Sequence, residues 1–155
     1  MCFAAQTRFS ADCSIAWFCI EMEQEKQRRG EGGSPPLILV LHDIEEVRDG
    51  IESLLRTTGF SVIPVRNESD AIQKSRSEFP ALLLVSLRGK IEEVTATAVR
   101  IRSTISAGGE IPIVIFCVPT IPEGTEVALD DNIHFVRPDN FQQLRTILRR
   151  LTLHQ

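Results

Sequence analysis

The chain has 155 residues, 43% of them hydrophobic and 25% charged, with a formal net charge of -4. That length holds one domain with a proper core and leaves no room for a second full one; the composition excludes a disordered or fibrous chain. The mild acidity gives no general attraction to nucleic acid or anionic membrane, and no apolar run approaches the roughly 18 residues that cross a bilayer, so a cytoplasmic protein is expected.

The N-terminal stretch up to Pro36 differs in texture from the rest. Met1 to Ile20 mixes apolar and polar residues without a sustained period, Glu21 to Arg29 is charged, and Gly30, Gly32, Gly33, Ser34, Pro35 and Pro36 read as a linker. Ile15, Phe18, Cys19 and Met22 stand at helical spacing, so Ile15 to Gln27 reads either as a short helix or as an extension without stable structure. A signal peptide fits poorly, because Asp12 precedes the apolar stretch and no clean cleavage site follows it. Cys2, Cys13, Cys19 and Cys117 lack the paired spacing of a zinc site and read as reduced thiols.

From Leu37 the pattern becomes short apolar runs alternating with amphipathic stretches. Leu37 to Leu41 is continuous and apolar, as in a strand buried on both faces. Val47, Ile51, Leu54 and Leu55 then recur at helical spacing up to Gly59, where a helix would stop. Phe60 to Val65 predicts a second strand, near an edge because Pro64 cannot donate to a ladder. A weaker helix is expected from about Ser69 to Phe79, ended by Pro80. Ala81 to Val85 is the most hydrophobic run and predicts a central strand. Val94, Ala98, Ile101 and Ile105 mark a third helix before Gly108 and Gly109. Ile111 to Phe116 predicts a fourth strand and Ile133 to Val136 a fifth. Between these two, Pro119, Pro122 and Gly124 leave only Glu123 to Leu129 for a helix. Phe141, Leu144, Ile147, Leu148 and Leu151 mark the last helix. Five βα units with right-handed crossovers predict a doubly wound (βα)5 three-layer sandwich, flavodoxin-like, with a five-stranded parallel sheet spanning residues 37 to 155.

In such a sheet the functional crevice lies beyond the C-terminal strand ends. The residues there are His42, Asp43, Ser86, Cys117 and Arg137 followed by Pro138. Taken with their neighbours they resemble the receiver domain of two-component response regulators, the CheY-like family, from about Pro36 onward. The resemblance is carried by Ile38-Leu39-Val40-Leu41-His42-Asp43, by Arg48 and Leu54-Leu55, by Gly59-Phe60-Ser61-Val62 and Ala71-Ile72. It continues in Pro80-Ala81-Leu82-Leu83-Leu84-Val85-Ser86 and Ile111-Pro112-Ile113-Val114-Ile115-Phe116-Cys117. It implies a strand end with two acidic residues, a phosphate-accepting aspartate, a hydroxyl residue and a lysine. Here His42 and Asp43, Ser86, Cys117 and Arg137 stand in those places, and His134 stands at the family's rotating aromatic position.

The frame matches while the active groups do not. Ser86 is a hydroxyl without an adjacent base, a poor nucleophile toward phosphohistidine, and it lacks a G-x-S-x-G context. Of the three family carboxylates only Asp43 remains, too little for a dependable magnesium site, so no cofactor is expected and metal binding should be weak or absent. Cys117 is a weaker donor than a hydroxyl, and Arg137 keeps the charge of lysine without its geometry. Ser86 and Arg137 with strand-end amides could seat a phosphate or sulfate ion. The expected function is therefore a pseudo-receiver: a non-catalytic interaction module that meets a histidine kinase, another receiver or its own copy. Two alternatives are a phosphorelay receiver modified at a non-standard residue and a flavodoxin-like domain holding a small ligand; no nucleotide-binding motif is present. For a homodimer, Arg145, Arg149 and Arg150 of the last helix could face Asp130 and Asp131 of a second copy.

Overall fold

The computed structural model describes residues 35–106, 111–116, 118–129 and 132–153. The expected linker and helix upstream of Pro35 lie outside these, as do Cys117, Asp130 and Asp131. In chain order the elements are β1 (Leu37–His42), α1 (Glu45–Thr57), β2 (Ser61–Val65), α2 (Glu68–Lys74), β3 (Leu82–Ser86), α3 (Ile91–Ile105), β4 (Ile113–Phe116), β5 (Thr125–Leu129), β6 (Ile133–Arg137) and α4 (Phe141–Leu153). They build one sheet in the order β2-β1-β3-β4-β6-β5.

The pleat sorts the apolar residues into two cores. Ile38 and Val40, Leu82 and Leu84, Val114 and Phe116, and Val136 face α1 and α4. Leu39 and Leu41, Leu83 and Val85, Ile113 and Ile115, and Ile133 face α2 and α3. Both sides of β1, β3 and β4 are thus buried, which is why those strands read as unbroken apolar runs. Burying each such leucine or isoleucine contributes about 1.5–3 kcal/mol before conformational entropy is counted. The result is the expected doubly wound α/β sandwich.

Strand count and two helices differ from the expectation. The sheet has six strands, because Thr125–Leu129 is a strand, antiparallel to β6, and not a helix. Thr125, Val127 and Leu129 pair with Arg137, Phe135 and Ile133, so the backbone of this segment is satisfied by the ladder with β6. Gly124 adopts φ 81° at the entry to β5 and Asn132 φ 61° just before β6, left-handed values that turn the chain into the hairpin and into its second strand. α2 ends at Lys74 instead of running to Phe79. Phe79 is 73% exposed, so the helix had no apolar anchor beyond Ile72 to extend it.

Candidate functional site

A cleft of about 790 Å³ opens at the C-terminal ends of β1, β3 and β4. Its polar walls are His42, Asp43, Ser86, Arg88, Lys90 and Glu92, and its apolar walls include Leu87, Ile91, Phe116 and Val118. His42 and Ser86 are register partners on neighbouring parallel strands, so the crossover topology alone sets them side by side. The His42 ring is 5% exposed and lies at a tilt to Phe116, with ring centroids 6.4 Å apart.

Local backbone bonding fixes the first strand end. The Ile44 amide donates to His42 Nδ1 at 3.1 Å, and Arg48 Nη1 donates to the His42 carbonyl at 2.9 Å. α1 therefore holds the turn in which Asp43 sits. Asp43 Oδ2 accepts from Arg88 Nε at 3.0 Å, which joins the loop after β3 to the loop after β1 across the cleft mouth. Partial burial pushes the Asp43 carboxyl upward, but the hydrogen bond and charge of Arg88 outweigh it and, with a smaller contribution from His42, hold the group below the usual carboxylate range.

The remaining strand-end residues go elsewhere. Arg137 belongs to the alternate face of β6, and its Nη1 donates to the Ile121 carbonyl at 3.0 Å and the Pro119 carbonyl at 3.4 Å. It secures the loop between β4 and β5 and is not among the cleft walls. His134 faces α4, with Nδ1 3.1 Å from Glu126 Oε1 and Nε2 3.4 Å from Asn132 Oδ1. The same Glu126 oxygen accepts from Arg150, so His134 is tied into a bridge between hairpin and last helix. Cys117 lies outside the described residues.

Arg88 is the contributor that residue-by-residue reading passed over. Its signal was the basic Arg88-Gly89-Lys90 stretch directly after Ser86, but its target lies on another strand end. Its contact with Asp43 bears on metal chemistry. Magnesium asks for several hard oxygens, whereas the strand ends supply one carboxylate already bonded to a guanidinium, a hydroxyl, and an imidazole nitrogen that already accepts an amide proton. Among the described residues no group of three or more His, Cys, Asp or Glu is placed to hold a metal ion. These residues do not fit the ion.

No protein-family model and no curated protein sequence matches the chain. Solved structures do. The receiver domain of a sensor histidine kinase from Pseudomonas aeruginosa, with magnesium in its active-site cleft, is similar at TM-score 0.57 and 21% identity, over 76% of this chain and 98% of that one. A signal receiver domain of a histidine kinase from Syntrophus aciditrophicus gives 0.56 and 17%, over 77% and 91%. The chemotaxis protein CheY4 of Vibrio cholerae gives 0.56 and 16%, over 76% and 98%. Six strands notwithstanding, the shared framework identifies this chain as having the CheY-like receiver fold of response regulators.

Proposed function

We propose that this chain is a receiver-type module of two-component signalling that acts by contact with a protein partner, a histidine kinase or another receiver, and carries no phosphoryl group at Ser86. On this reading it is not an enzyme, needs no magnesium, and works in the cytoplasm; among the described residues no helix is long and apolar enough to cross a membrane. The observation that carries the reading is the Asp43–Arg88 bond beside the Ser86 hydroxyl. An acyl phosphate requires a carboxylate nucleophile and a divalent cation to shield the incoming oxygens; here the strand-end carboxylate is neutralised internally by Arg88 and the acceptor position holds an alcohol.

The test is titration of the isotopically labelled chain with magnesium and beryllofluoride, followed by NMR. No saturable shift is expected at Ser86, Asp43 or Arg88. A saturable shift there overturns the proposal, and so does radiolabel transfer from a kinase that Ser86→Ala abolishes. A second reading is favoured by the cleft itself: about 790 Å³ with an apolar wall is the size of a small-molecule site. Native mass spectrometry of the freshly purified chain tests it, since a carried ligand adds a discrete mass and a bare chain mass argues against it.

A further inference from the structure

The two edges of the sheet are built differently. β2, at one edge, carries Pro64 in mid-strand, and Lys74 Nζ donates to the Pro64 carbonyl at 2.9 Å. A proline and a lysine on an edge are devices that stop another strand from adding there. β5, at the other edge, reads Thr125-Glu126-Val127-Ala128-Leu129, with no proline and no lysine. Its one charge, Glu126, is directed to Arg150 and His134 within the molecule.

Among the described residues the face of β5 is open as well as its edge. Thr125, Val127 and Leu129 pair with Arg137, Phe135 and Ile133 of β6 and share their side of the sheet. α3 packs on β3 and β4, and no described helix makes an extensive contact with β5. Val127 and Leu129 are consequently 40% and 42% exposed. An unguarded edge beside exposed apolar side chains is a template for one more strand.

We propose that β5 is a dimerisation strand, through which two copies of this chain join edge to edge, antiparallel about Val127, into one continuous sheet. The sequence of the strand supplies its own complement. In this pairing Val127 faces Val127 of the second copy, Thr125 faces Leu129, and Glu126 faces Ala128. Within the strand the one charge meets a methyl group and no like charges confront one another, and Val127 and Leu129 of both copies make one apolar stripe. The pairing is isologous and closes after two copies, as a two-fold contact must. It goes beyond the signalling reading and stands whether or not Ser86 takes a phosphoryl group.

The experiment is sedimentation of the full chain over a concentration series, at low and high salt. A monomer–dimer equilibrium that persists in high salt is expected, because ladder hydrogen bonds and apolar contact are little screened. Val127→Lys and Val127→Glu, each alone, place like charges across the two-fold and should weaken self-association by about tenfold or more. An equimolar mixture of the two variants should restore it. Val127 is already open to solvent, so both variants should keep the circular dichroism and melting temperature of the parent. A monomer at every concentration, a dimer that salt dissolves, a dimer unchanged in both variants, or variants that stay apart when mixed would each overturn the proposal.

Discussion

At Asp43 two effects of opposite sign meet: burial opposes the carboxylate, while the Arg88 guanidinium favours it and prevails. Arg88→Ala should therefore move the Asp43 titration upward, to the usual carboxylate range or above it, as followed by carboxyl carbon NMR; an unmoved titration would show that Arg88 does not set it. The stability consequence has a definite sign. Because the folded group is held below its unfolded value, its contribution is complete above the ordinary carboxylate range and lost as pH falls through the lowered value. The stability gap between the parent and Arg88→Ala should thus close on acidification. Arg88 is 73% exposed, so the gap at neutral pH should stay within about 1 kcal/mol. That Asp43 stands as the one carboxylate among the strand-end residues was legible from the sequence, since strand ends can be counted off apolar runs. Its partner was not, because the contact depends on how two loops from different strands approach in space.

At the scale of elements, β1, β3, β4 and α1 were legible for one reason: each is buried on a full face or stripe, so its period is uninterrupted. The hairpin was not. Thr125, Val127 and Leu129 alternate with Glu126 and Ala128, and Asp130-Asp131-Asn132 is turn chemistry, yet the βα rhythm of the preceding units called for a helix at that point. A half-exposed edge strand gives a weaker period than a buried one. The difference should appear in native-state amide hydrogen exchange. Amides of Leu83 to Val85, covered on both faces and paired on both edges, should exchange only through global unfolding, and those of Thr125 to Leu129 orders of magnitude faster. In the dimer proposed above, protection of β5 should rise with protein concentration. Equal protection in β3 and β5 at low concentration would contradict the description of β5 as a free edge.

At the scale of the whole fold, the first and last elements among the described residues, β1 and α4, are fastened together. α4 places Phe141, Leu144, Ile147 and Leu148 in the same core as β1 and α1. Arg149 Nη2 donates to the Thr58 carbonyl at 2.6 Å, and its guanidinium stands 5.5 Å from the centre of the Phe60 ring. Arg149→Ala removes both contacts and should lower the unfolding free energy by about 1–2 kcal/mol, read from the urea midpoint at unchanged slope. A midpoint that does not move would show the contact to be incidental. The closing position of α4 also bears on how the chain is made. During synthesis Ile38, Val40, Ile51 and Leu54 emerge long before α4, the segment that covers them, so the nascent chain must carry an unfinished apolar surface until α4 has left the ribosome. A chain cut within α4 should thus be left dependent on chaperones when newly made, as read from its soluble yield with and without them.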